Sequence, residues 1–185
     1  MSNGFPIETP TAINSIIIHP ENPDIVYIMT TLHESLTAIG VYKTTDGAQS
    51  WIEMNNGLNT LTNDIQMDPL SPDTLYAATE TGVYKTIDGA ETWHLASDGL
   101  PIQSNSDKYS PVIDLAIDPI NPLVLYAITP EHVYRTKNGG GNWYQVDLGL
   151  PLNDSEDPIS AGKAPLMEHG ESMGHVTYGG HFAQD

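Results

Sequence analysis

An eight-residue signature occurs three times in this chain and constrains its fold more than any other feature. The copies read Thr44-Thr45-Asp46-Gly47-Ala48-Gln49-Ser50-Trp51, Thr86-Ile87-Asp88-Gly89-Ala90-Glu91-Thr92-Trp93 and Thr136-Lys137-Asn138-Gly139-Gly140-Gly141-Asn142-Trp143. All three tryptophans of the protein close a copy. Such repetition marks stacked supersecondary units, each of which buries its apolar face only against a neighbour.

The repeat extends well beyond these boxes. Before each lies an aromatic strand: Gly40-Val41-Tyr42-Lys43, Gly82-Val83-Tyr84-Lys85 and His132-Val133-Tyr134-Arg135. Earlier comes a second strand around Tyr27, Tyr76 and Tyr126, and before that an apolar strand ending in the proline turns at Pro20, Pro69 and Pro119. After each tryptophan a short fourth strand closes on Gly57-Leu58, Gly99-Leu100 or Gly149-Leu150. Each unit therefore reads as four short strands rich in Val, Ile and Tyr, separated by Pro, Gly, Asn and Asp turns. The second-strand tyrosines are 49 and 50 residues apart, whereas the box tryptophans are 42 and 50 apart. The mismatch exposes two insertions, around Thr31 to Ile39 and around Gln103 to Ser110. Insertions in repeat proteins map to loops on one face, often the binding face, so these loops are the expected carriers of function.

Four strands per unit at this period predict an all-β, propeller-type fold: three four-stranded antiparallel blades, an incomplete ring, and a C-terminal tail. The blades are expected at about 10–58, 59–100 and 101–150, followed by a polar linker over 151–163 and a His/Met/Gly-rich tail over 164–185.

In the boxes, Asp46 and Asp88 fall on the hairpin between the third and fourth strands. A short carboxylate there accepts hydrogen bonds from the N–H groups of its own turn, and Asn138 offers the same acceptor without charge. The tryptophans are expected to fill the gaps between neighbouring blades. These are structural roles, so no catalytic or cofactor-binding residue is assigned.

The sequence resembles the Asp-box (BNR) repeat proteins, with consensus Ser/Thr-x-Asp-x-Gly-x-Thr-Trp. The upstream Asp-Pro-x-x-Pro-x-x-x-Tyr-Ala stretch is most similar to a group that includes xyloglucanase-like glycoside hydrolases, photosystem II assembly-factor-like proteins and sortilin-like receptor domains. The resemblance covers roughly residues 13 to 150. Ala48 and Ala90 stand where that consensus has glycine, and the third box has Asn138 and Asn142 for the aspartate and the hydroxyl residue. The resemblance implies a propeller and, for setting, an extracellular or periplasmic location; no signal peptide is found, because Met1 to Pro6 lacks the basic and apolar regions of one. It does not imply one activity, since the same fold hosts unrelated functions.

Several chemistries are excluded or disfavoured. The chain has 6 Lys plus Arg against 24 Asp plus Glu, a formal net charge of -18. Such a surface repels phosphate backbones and anionic lipid, so neither nucleic acid nor membrane insertion is expected. There is no cysteine, which removes disulfides and thiolate metal sites. A sialidase clamps its substrate with several arginines, and this chain has only Arg135. A xyloglucanase-like hydrolase needs two carboxylates across the scissile bond; acids are plentiful, but three blades do not make the cleft of the far larger double-propeller enzymes. No nucleophile elbow, phosphate-cradling glycine loop or His-Glu-x-x-His occurs. Asp154-Ser155-Glu156-Asp157 lacks the ligand series of a calcium loop.

The tail carries His169, His175 and His181, with Met-x-His at Met167/His169 and Met173/His175. Imidazole with thioether suits copper, but six-residue steps on an extended strand span about 20 Å. No cofactor is expected, and a transition metal such as copper on the tail remains the alternative. The leading reading is a non-catalytic propeller module that binds protein or polysaccharide as a scaffold. The rivals are a fragment of a carbohydrate-active enzyme and a metal-handling protein. Three blades leave sheet faces to be covered, which leaves self-association and a longer chain both open.

Overall fold

The computed structural model describes residues 11–32, 38–104 and 106–147. The linker, the histidines and methionines of the tail, and Asp154 to Asp157 lie outside the described residues.

Among the described residues the fold is all-β, as expected, with three four-stranded antiparallel sheets. The first holds β1 (Thr11–Ile18), β2 (Val26–Leu32), β3 (Ala38–Thr44) and β4 (Ile52–Glu53) in that order. The second holds β5 (Thr62–Met67), β6 (Leu75–Thr79), β7 (Gly82–Thr86) and β8 (His94–Leu95). The third holds β9 (Asp114–Ile117), β10 (Leu125–Ile128), β11 (Val133–Thr136) and β12 (Tyr144–Gln145). Each sheet is a simple meander, and the first strands β1, β5 and β9 lie next to one another in succession. This is the arrangement of propeller blades around an axis.

The turns explain why the strands stop where they do. Asp68 accepts hydrogen bonds from the N–H groups of Leu70 and Ser71 at 2.8 and 3.0 Å, and Asp118 does the same for Ile120 and Asn121 at 2.9 and 3.1 Å. In the first blade His19 takes this position, its Nδ1 accepting from Glu21 and Asn22 at 3.2 Å each. The proline beside each acceptor has no N–H and fixes its own φ, which ends the strand.

The core lies between blades rather than inside a sheet. One buried cluster joins Tyr27, Met29 and Val41 of blade 1 to Ile65, Leu75 and Trp93 of blade 2. A second joins Tyr76, Ala78 and Val83 of blade 2 to Leu115, Leu125 and Trp143 of blade 3. Strand alternation makes this possible: Tyr76 faces the next blade while its neighbours Leu75 and Ala77 face the previous one.

Trp93 and Trp143 occupy matching inter-blade positions, 3% and 2% exposed. The Trp93 indole N–H donates to Met54 O at 2.8 Å and that of Trp143 to Ala96 O at 2.8 Å. Their backbone N–H groups reach Asn56 O and Asp98 O at 2.9 and 2.8 Å. The expectation of three equivalent indoles is met for these two only. Trp51 is half-buried, because no described blade precedes the first.

Replacing Trp93 or Trp143 by alanine removes an indole from a filled interface and is expected to cost about 3–5 kcal/mol of stability. Chemical denaturation of the two variants measures this; a loss below about 1 kcal/mol at either would contradict the inter-blade assignment.

Candidate functional site at the strand ends that carry the insertions

Each meander has two ends with different chemistry. The β1–β2 and β3–β4 turns, and their counterparts in the other blades, share one end. The β2–β3 turn and the exit from β4 share the other. All three boxes lie in the turns before β4, β8 and β12. The second insertion belongs to the opposite end, in the connection from β8 to β9, and the described part of the first lengthens β2 and β3 toward that same end.

The box end is saturated by its own structure. Asp46 accepts from Ser50 N at 2.9 Å and Asp88 from Thr92 N at 3.0 Å, while the Ser50 and Thr92 hydroxyls donate to the same carboxylates. Asn138 accepts from Asn142 N at 2.9 Å, so the uncharged box keeps the turn. These bonds hold the Asp46 carboxyl at about 2, chiefly through Ser50, and the Asp88 carboxyl at about 2, chiefly through Thr86 and Thr92. The depressed pKa here has its cause in the hydrogen-bonded turn.

Sequence reasoning assigned the turn to the aspartates and missed the threonine two places earlier. Thr44, Thr86 and Thr136 are buried at 1%, 1% and 0% exposure. The Thr86 hydroxyl accepts from the buried Ala90 N at 3.2 Å and donates to Asp88 at 2.6 Å. Thr44 and Thr136 serve Ala48 N and Gly140 N at 3.1 and 3.2 Å in the same way. The signal was present, since threonine opens all three boxes. The fifth residue of each box stands at positive φ, 70° for Ala48, 73° for Ala90 and 85° for Gly140. This explains the glycine of the consensus, and it makes the two alanines locally strained.

At the opposite end the second insertion is an ordered structure. Ile102 and Tyr109 form a β-bridge. Gln103 donates to Glu80 O at 3.3 Å and to Tyr109 O at 2.9 Å, and Val112 N donates to Thr79 O at 2.9 Å. Tyr109 Oη reaches Asp98 at 3.2 Å. These bonds fasten the loop across the β6–β7 turn and beside the β10–β11 turn. Between them lies a groove of about 300 Å³, whose lining includes Pro101, Ile102, Pro111, Pro130 and Glu131. Ile102 is 60% exposed at its rim, and Glu131 is the one carboxylate among the described residues that line it.

One further pair of acids occupies corresponding positions on adjacent first strands. Asp64 on β5 and Asp114 on β9 pair with Ala78 and Ile128 of their respective second strands. Burial pushes the Asp64 carboxyl up, and the nearby charge of Asp114 adds to the rise against hydrogen bonds from Gln66 and two backbone N–H groups. Neither acid lines the groove. Arg135 lies on β11, in register with Tyr126. Among the described residues no three His, Asp or Glu side chains gather as a metal site, and no helix is long and apolar enough to cross a membrane.

No family model matches the chain, and no curated protein matches it. Solved structures do. An ancestral GH74 enzyme superposes with a TM-score of 0.56 at 20% identity, over 72% of this chain and 18% of that one. YCF48 from Cyanidioschyzon merolae superposes with a TM-score of 0.51 at 19% identity, over 76% of this chain and 38% of that one. YCF48 bound to D1 peptide gives 0.51 at 17% identity, over 78% and 46%. The chain thus spans less than half the length of each structure. At such identities the likeness shows the fold alone, that of β-propeller blades.

Two measurements follow from the site chemistry. Thr86→Val leaves the buried Ala90 N–H without its acceptor and is expected to cost about 1–3 kcal/mol; Asp88→Asn, which imitates the natural third box, is expected to cost less. Denaturant midpoints of the two variants check the order, and a larger loss in Asp88→Asn would overturn it. Asp64 titrates with the opposite sign to Asp88. Its raised folded pKa means that stability falls as pH rises from the unfolded value, about 3.9, through the folded one. Asp64→Asn should therefore raise the melting temperature at pH 7, with the gain vanishing toward pH 4. A gain that grows on acidification would contradict the assignment.

Proposed function

We propose that this chain is a non-catalytic propeller module of the Asp-box type that binds a protein segment at the strand ends opposite the boxes. The observation that carries this reading is the groove built by the 101–111 connection and the β10–β11 turn. Insertions in repeat proteins concentrate on the binding face; the second insertion of this chain belongs to that end, and the described part of the first lengthens β2 and β3 toward it. Pro101, Pro111 and Pro130 stiffen the walls, Ile102 supplies exposed apolar surface, and Glu131 adds one negative charge. An extended peptide with an apolar residue next to a lysine or arginine fits that combination, and the net charge of -18 favours its approach. A structure with the same fold is YCF48 bound to D1 peptide, which supports peptide recognition on such a scaffold.

A glycan-binding or glycosidase reading is weaker at this groove. Glycoside hydrolysis needs two carboxyl groups about 5–10 Å apart across the bond, and the described lining offers Glu131 alone.

Selection from a phage-displayed random peptide library on the full chain tests the proposal. Enriched peptides are expected to lose about tenfold or more in affinity on Ile102→Ser, the scale of a central apolar contact, and to lose their preference for basic residues on Glu131→Gln. Failure to enrich any peptide, together with binding or cleavage of xyloglucan, would replace this reading by the carbohydrate-active one.

A further inference from the structure

Two internal blade contacts share one lock. Tyr27 Oη and Lys43 Nζ of blade 1 both donate to Gly89 O in the second box, each at 3.1 Å. Tyr76 Oη and Lys85 Nζ of blade 2 both donate to Gly139 O in the third box, at 3.2 and 3.0 Å. In each pair the ammonium also sits over the tyrosine ring, 5.2 Å from its centroid. Tyrosine and cation face each other in strand register, Tyr27 with Lys43 and Tyr76 with Lys85.

Blade 3 carries the same donor pair in the same register, Tyr126 with Arg135. Here the tyrosine is 39% exposed, against 1% for both Tyr27 and Tyr76. Around it Ile128 and Val146 are 42% and 39% exposed. Val146 is bonded to Val133 O as Met54 is to Val41 O and Ala96 to Val83 O, so its carbonyl holds the position that receives an indole N–H in the other two blades.

Blade 1 presents the complementary half. Gly47 and Ala48 are exposed where Gly89, Ala90, Gly139 and Gly140 are buried. Ile16 and Ile18 are 65% and 59% exposed, whereas their counterparts Ile65 and Met67 are 1% and 8% exposed. One chain thus displays a donor socket on its last described blade and a matching box on its first. The relation between such halves is already realised twice within the molecule.

We infer that a second copy of this chain covers these faces head to tail, with Tyr126 and Arg135 of one copy gripping the first box of the other at Gly47 O. The trailing face of each copy meets the leading face of the other about a two-fold axis, so two copies satisfy both faces of both chains in a closed dimer. Two copies supply six blades of the kind seen here, within the range of about four to eight found in propellers, and three copies exceed it. The net charge of -18 on each copy opposes association at long range and is screened by salt, while the contact itself sets a cation against a neutral carbonyl.

Light scattering on the full chain at micromolar concentration reads the assembly. The expected mass is twice that of one chain. Ile18→Asp on the leading face and Ile128→Asp on the trailing face should each halve it while leaving the far-ultraviolet circular dichroism unchanged. Mixing the two variants should restore a dimer, since one intact leading face then meets one intact trailing face. Arg135→Glu, which reverses the gripping charge, should weaken the dimer at least tenfold and provides a second, milder test. A wild-type monomer overturns the inference, and so does an open series of larger assemblies. A dimer that survives Ile128→Asp, or two variants that stay monomeric when mixed, contradicts the head-to-tail arrangement.

Discussion

The contact on which the structure depends is the seating of one blade's box against the preceding blade. A tryptophan fills the space, its indole N–H donates backward, and a tyrosine–lysine pair reaches forward to a glycine carbonyl. Few other geometries satisfy all of these at once. Gly57 and Gly99 show how close the fit is: a Cβ on either would lie 2.3 or 2.2 Å from the carbonyl oxygen of Trp93 or Trp143. Because each sheet has only four short strands, little core exists within a blade. The apolar surface is buried where blades meet, so cohesion of the whole follows from this repeated junction.

This division of labour separates the self-bonded box end from the end that carries the groove. The box end is occupied by its own turns, with the buried threonine and the aspartate or asparagine consuming the hydrogen-bonding capacity of the hairpin. The opposite end carries loops whose length is free to vary without disturbing the junctions. Its ordered loop is fastened to the backbone carbonyls of Thr79 and Glu80 in the β6–β7 turn, which positions a groove on a rigid base. Residues that look chemically active by type, such as Asp46 and Asp88, therefore belong to architecture. Residues that look plain, such as Ile102 and its neighbouring prolines, shape the groove at the opposite end.

Much of the fold was legible because the repeat reports the same physics three times. Four strands per unit, hairpin positions, and the inter-blade place of Trp93 and Trp143 all followed from the boxes and the aromatic strands. The aspartates are the turn acceptors their position implies, while Thr86 and its equivalents look like ordinary strand residues until their burial is seen. The tyrosine–lysine grip was not legible, because its acceptor is a backbone carbonyl 46 to 63 residues away and no side chain marks it. The groove was foreshadowed only as an insertion: spacing locates extra residues around Gln103 to Ser110, but the turns that face them come from registers that no local pattern encodes. Asp64 and Asp114 are likewise brought together only when β5 and β9 become neighbours.

Hydrogen exchange at the indole N–H groups tests the junction most directly, because each reports one blade-to-blade bond. The account predicts that Trp93 and Trp143 exchange only through global unfolding, with matching free energies that track the denaturant stability of the chain. Exchange of Trp93 or Trp143 at the rate of an exposed indole in the folded protein would contradict it.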